Sequence, residues 1–129
     1  MDRIRILVVD DDVDNADTLT KLLKLKGYDV HECVHGPDCL EAVERLLPEV
    51  ILLDLGMAGM SGFDIAEELR ENPDLRPRLL IAVTGHGQPA DFEHTKNAGF
   101  DHHLLKPLDW RKLDAILQSR EVPVGAPRR

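Results

Sequence analysis

At 129 residues the chain has the length of one domain, and splitting it would leave two marginal cores. A hydrophobic content of 43% excludes a disordered chain, and 16 Lys and Arg against 24 Asp and Glu give a net charge of −8, so phosphate repulsion argues against direct nucleic-acid binding. No apolar run approaches the roughly 18 residues of a membrane helix, and Met1-Asp2-Arg3 has no signal-peptide anatomy, so a cytoplasmic domain without membrane contact is expected.

Residues 4–9 read as a short buried strand. It runs into an acidic cluster, Asp10, Asp11, Asp12, Asp14 and Asp17, all within eight residues. Five like charges this close repel, and a cation would offset them. An acidic helix start complements the macrodipole and accounts for Asp14 and Asp17, but not for Asp10 and Asp11, which follow the strand directly. From Val13 the period turns helical, with Ala16, Leu19, Leu22 and Leu23 on one face and Lys21, Lys24 and Lys26 toward water, until Gly27 stops it.

Residues 28–34 read as a more polar strand at a sheet edge. Cys33 and Cys39 are too few for a disulfide scaffold and lack metal spacing, so buried, inert thiols are expected. Pro37 suits the first turn of a second helix, lined by Leu40, Val43, Leu46 and Leu47 and closed by Pro48. Residues 50–53 form a third strand, too apolar to be half-exposed, that ends at Asp54. The three glycines in residues 55–62 mark a loop. A helix then runs through Ile65, Ala66 and Leu69 to Asn72-Pro73.

Residues 79–83 are a fourth strand, followed by a loop over 84–88 and a weakly patterned helix over 89–98 that ends at Gly99. His102–Leu105 is a short fifth strand, and Lys106-Pro107 leads into a last helix over 109–119. Residues 121–129, with two prolines, a glycine and paired arginines, are expected to be a flexible tail behind a domain over 1–120.

Strands alternating with helices imply a parallel sheet covered on both faces, and right-handed crossovers make it doubly wound. In such folds chemistry collects at the carboxyl ends of the strands. Here those positions are Asp10 and Asp11, Asp54, Thr84 and Lys106. Carboxylates beside an ammonium and a hydroxyl suit a hard divalent cation such as Mg²⁺ next to a phosphate. Asp54 is the candidate nucleophile, with Thr84 and Lys106 to hold phosphoryl oxygens. There is no Walker loop and no dinucleotide fingerprint, so the phosphoryl donor comes from elsewhere.

Ile6-Leu7-Val8-Val9-Asp10-Asp11-Asp12 resembles the first-strand acidic motif of response-regulator receiver domains. Asp54-Leu55-Gly56-Met57-Ala58-Gly59-Met60-Ser61-Gly62-Phe63 resembles their phosphoacceptor loop, and Thr84-Gly85 and Lys106-Pro107 fill the remaining signature positions. The likeness spans residues 3–118. It implies a flavodoxin-like α/β domain with a five-stranded sheet of order 2-1-3-4-5 and five helices. It also implies a module of two-component or phosphorelay signalling rather than a turnover enzyme. A sensor histidine kinase or histidine phosphotransfer protein would pass a phosphoryl group from phosphohistidine to Asp54, with slow autodephosphorylation at most.

By the same resemblance, Asp11, Asp54 and the backbone carbonyl of Gly56 would ligate Mg²⁺, with Asp10 helping through water. Thr84 would move toward the phosphoryl group, Lys106 would pair with it, and the bond to Pro107 would be cis. The fourth helix, fifth strand and fifth helix would present the switched surface to an output domain or partner. Departures stand out: Ala58 replaces a usual Pro, and His103 replaces the Tyr or Phe that follows the Thr. His103 is therefore expected to weaken the coupling and, titrating near pH ~6.5, to make it pH-dependent. Gly56 has no side chain to place an attacking water, and His86 holds the other position that tunes dephosphorylation. A small metal-dependent phosphatase would need a further general acid and a substrate cap, and a degenerate scaffold would not keep Asp10, Asp11, Asp54, Thr84 and Lys106 together.

Overall fold

The apolar runs of the sequence become the inner strands of a single parallel sheet. The structure is a computed structural model that describes residues 3–57, 61–85 and 89–119. In chain order its elements are β1 (Arg5–Val9), α1 (Val13–Leu25), β2 (Asp29–Cys33), α2 (Cys39–Leu46), β3 (Val50–Asp54), α3 (Gly62–Glu71), β4 (Leu79–Thr84), α4 (Pro89–Asn97), β5 (His102–Leu105) and α5 (Trp110–Ser119). The strand order is β2-β1-β3-β4-β5, all parallel, as the resemblance implies. The winding reverses between β1 and β3, which makes that crevice the switch point.

Two apolar cores lie on either side of the sheet. One packs α1 and α5 against Ile6, Val8, Leu52, Ile81 and Val83, and the other packs α2 and α3 against Leu7, Val9, Ile51, Leu53 and Ala82. The split follows from the two-residue period of the strands. Every residue of β3 is buried, whereas β2, at the edge, buries only Val30 and Cys33. Each fully buried aliphatic side chain contributes about 1.5–3 kcal/mol, and Ile6, Leu7, Ile51, Leu52, Leu53 and Ile81 of the inner strands are buried to this degree.

Several local expectations need correction. Leu22 fits the helical period but is 43% exposed, because it flanks the buried row of Ala16, Thr20 and Leu23 rather than joining it. Pro37 sits in a 3₁₀ turn, Gly36–Asp38, and the α-helix starts only at Cys39. Leu47 is not in the helix: it caps it in the left-handed region at φ 46° and is 54% exposed. A residue before proline is pushed out of the α region, and Pro48 supplies that push. The Arg5 guanidinium takes over the freed helix end, donating to the Leu46 carbonyl at 2.6 Å.

Cys33 and Cys39 are free and buried. Burial, then the neighbouring Cys33, push the Cys39 thiol up to about 12, which fits an inert group. No helix among the described residues is long and apolar enough to cross a membrane. The tail expected over 121–129, together with Ala58 and His86, lies outside the described residues.

Candidate functional site

Strand register assembles the site. Val9 pairs with Leu53, Asp54 with Val83, and Thr84 with Leu105. One residue further, Asp10 follows β1 and Lys106 follows β5, so Asp10, Asp54, Thr84 and Lys106 share one edge of the sheet. Main-chain bonds fix two of these ends: the Asp10 N–H donates to the Cys33 carbonyl at 3.1 Å, and the Lys106 N–H to the Thr84 carbonyl at 2.8 Å.

The acidic cluster divides by role. Asp12 caps α1, its carboxylate accepting from the N–H groups of Asp14 and Asn15 at 3.1 and 3.2 Å. Asp17 pairs with Lys21 at 3.0 Å, one helical turn on. Asp10 and Asp11 instead turn toward Asp54, and a carboxylate oxygen from each of the three lies within 4.8 Å of the others. Asp10, Asp54 and Thr84 are buried and Asp11 is exposed at the mouth.

Lys106 joins this group, its ammonium 3.3 Å from Asp54 Oδ2 and 3.5 Å from Asp10 Oδ2. Asp54 Oδ1 accepts from the Gly56 N–H at 3.0 Å, and Asp10 Oδ1 from the Asp12 N–H at 2.9 Å. Burial, with the adjacent Asp54 adding to it, pushes the Asp10 carboxyl up to about 6, although the Asp12 N–H and Lys106 pull the other way. For Lys106 burial would lower the pKa, but the charges of Asp54 and Asp10 outweigh it and hold the ammonium above its ordinary value. One ammonium facing three carboxylates leaves an excess of negative charge. The donors are all oxygen, which suits a hard divalent cation and not a soft one.

A cavity of about 510 Å³ leads away from Asp10, Asp54 and Lys106 between α1 and the start of the β5–α5 connection, past Thr18, Leu19, Leu22, Pro107 and Leu108. The exposure of Leu22 is thereby explained: it lines this groove. The Lys106–Pro107 peptide is cis.

Sequence reasoning missed Gly62. A Cβ there would lie 2.7 Å from Leu55 Cδ2, 3.1 Å from Leu55 Cα and 3.2 Å from the Asp54 carbonyl oxygen, so glycine lets α3 close against the acceptor strand. Its place in a glycine-rich loop was visible, but not which glycine makes the close approach. Thr95 was missed as well. It is 2% exposed, and its Oγ1 lies 3.0 Å from Nδ1 of His103, on β5. His103 also packs on Phe92, with ring centroids 4.4 Å apart.

A model of the response regulator receiver domain matches residues 6–118. The DNA-binding response regulator MtrA of Mycobacterium leprae is 36% identical over 118 residues, covering 92% of this chain and 51% of that protein. An uncharacterised 14.6 kDa protein of Leptolyngbya boryana is 34% identical over 113 residues, covering 88% of this chain and 86% of that one. The chain spans about half the length of the MtrA relatives it matches. Among solved structures, the signal receiver domain of a DNA-binding response regulator from Colwellia psychrerythraea is 26% identical at a TM-score of 0.85, covering 91% of this chain and 97% of that one. The matched span takes in every strand that brings a residue to the carboxyl-end site, and this chain therefore belongs to the response regulator receiver domain family of two-component signalling.

Proposed function

We propose that Asp54 accepts a phosphoryl group from the phosphohistidine of a sensor histidine kinase or histidine phosphotransfer protein, and that the acyl phosphate is the signal. The observation that carries this reading is the convergence of Asp10, Asp11 and Asp54 oxygens within 4.8 Å, with the Lys106 ammonium 3.3 Å from Asp54. An Asp54 carboxylate oxygen attacks phosphorus, the P–N bond to the donor imidazole breaks, and the imidazole leaves as the neutral base after taking up a proton. Asp10, Asp11, Asp54 and the Gly56 carbonyl would hold Mg²⁺, which when bound supplies charge neutralisation between carboxylate and phosphoryl group. Lys106 and the Thr84 hydroxyl hold the transferred oxygens, and the Gly56 N–H keeps the Asp54 carboxylate oriented.

The groove past Thr18, Leu22 and Leu108 gives a donor an apolar approach to Asp54. The module acts in the cytoplasm and labels itself rather than turning over a substrate. MtrA is named as DNA-binding; in the present chain a net charge of −8 supports a role confined to protein partners. Intact-mass measurement after incubation with acetyl phosphate tests the reading. One added phosphoryl group is expected with Mg²⁺, none with chelator, and none in Asp54→Asn. Label persisting in Asp54→Asn would place the acceptor elsewhere.

A further inference from the structure

The helix α4 is held unlike its neighbours. The helices α1, α3 and α5 each bury apolar side chains, among them Leu23, Ile65 with Leu69, and Leu113 with Leu117. Of the α4 side chains at positions 92–97, only Thr95 is buried, and Phe92 is 39% exposed. Burial of apolar area therefore contributes little over this stretch, and directional side-chain contacts take its place.

Those contacts come from two sides. On the α3 side, the His94 ring stacks on Phe63, with centroids 3.9 Å apart and planes 10° from parallel. Arg70 Nη1 also donates to the Asn97 carbonyl at 3.0 Å. On the β5 side, the Thr95 hydroxyl donates to the Phe92 carbonyl at 2.9 Å, which uses its single proton. Its oxygen then accepts from Nδ1–H of His103 at 3.0 Å, while the His103 ring leans on Phe92. The α3 side leads straight back to the acceptor: Phe63 follows Gly62, the residue packed against Leu55 and the Asp54 carbonyl.

We propose that α4 is held by two histidine latches, His94 on Phe63 and His103 on Thr95, and that the Phe63 latch connects α4 to the acceptor loop through Gly62. His94, Thr95 and His103 are positioning residues: they set where α4 rests, and a displacement of Asp54, Leu55 or Gly62 loads the Phe63 latch directly. Regulation by this route rests on the reading of Asp54 as phosphoacceptor, but the latches themselves do not.

Backbone hydrogen exchange separates the two. In the unliganded protein, α4 amides should exchange at least about 10-fold faster than those of α1 and α3. Phe63→Leu, which keeps an apolar side chain, and Thr95→Val, which keeps the volume, should each speed α4 exchange a further several-fold without changing α1 or α5. A parent α4 as protected as α1, or variants that leave α4 exchange unchanged, would overturn the latches. Acceleration in one variant alone overturns the two-sided form and assigns the hold to that side. Beryllofluoride with Mg²⁺ should then alter α4 exchange in the parent and lose most of that effect in Phe63→Leu. Absence of any response at residues 54–57 counts against Asp54 as acceptor, whereas a response there with an undiminished α4 effect in Phe63→Leu removes the connection through Phe63.

Discussion

Lys106 reaches Asp54 across the width of β4, its ammonium 3.3 Å from Asp54 Oδ2 although 52 residues separate the two in sequence. The same ammonium is 3.5 Å from Asp10, so it is shared by two carboxylates that would otherwise face each other uncompensated. Replacing it by the neutral, similarly long side chain in Lys106→Met should cost the metal-free protein about 1 kcal/mol, measured by denaturant unfolding in chelator. Loss of a cation aimed at the transferring group should slow labelling by about 100-fold or more. An unchanged labelling rate would remove Lys106 from the chemistry.

The Asp10 carboxyl, raised from 3.8 to about 6 by burial and by Asp54, makes a pH prediction with a definite sign. Between those values the folded metal-free protein keeps a proton that the unfolded chain has released. Stability in chelator should therefore fall as pH rises through this window and level off above about 6. Asp10→Asn abolishes the titration, so it should flatten that slope and melt higher than the parent at pH ~7.5 in chelator. In Mg²⁺ the order should reverse, because the variant lacks a charged ligand. Thermal melts across pH ~5–8, with and without Mg²⁺, check both arms; equal slopes in parent and variant would rule out Asp10 as the source.

The parts of this domain legible in sequence are those set by short-range pattern. Residues 50–53 can only be a doubly covered strand, and the charged or hydroxyl residue that ends each inner strand marks the reactive edge without any knowledge of pairing. Leu22 and Leu47 were misplaced because periodicity gives a helix face but not the width of its buried stripe, nor the residue at which a following proline ends it. The His103–Thr95 bond joins residues eight apart on different elements, and nothing local encodes it. The cap role of Asp12 is not legible in sequence for a related reason: a capping carboxylate and a ligating one look alike until the helix start is fixed.

Gly62 shows how little room the acceptor loop leaves. The Leu55 side chain can swing away from a new methyl group, but Leu55 Cα at 3.1 Å and the Asp54 carbonyl oxygen at 3.2 Å are backbone and cannot. Gly62→Ala should therefore destabilise the protein by about 1–3 kcal/mol. It should also displace Asp54, so that labelling slows by more than the loss of folded protein explains. Stability and labelling rate measured on the same samples test this; unchanged labelling with lowered stability would show that the strain is absorbed within α3.

Gly56 presents the opposite situation. A Cβ at this position would lie 3.7 Å from Asp54 Oδ1, ordinary contact with no clash, and the residue does not have a left-handed φ that would reserve it for glycine. A side chain here would start beside the Asp54 carboxylate and extend past a bound phosphoryl group toward the face opposite the Asp54 oxygen, where a water must line up for hydrolysis. As glycine, the position orients no water. Placing a reactant is worth orders of magnitude in rate, so the phosphorylated parent should persist for many minutes with Mg²⁺ present. Gly56→Asn adds an amide able to hold that water and should shorten the lifetime by about 10-fold, while leaving the Gly56 N–H bond to Asp54 in place. His86→Ala should change it less. Loss of label followed at fixed pH and Mg²⁺ in the three proteins decides the matter: a parent half-life of seconds, unaltered by Gly56→Asn, would mean that backbone and metal alone position the water.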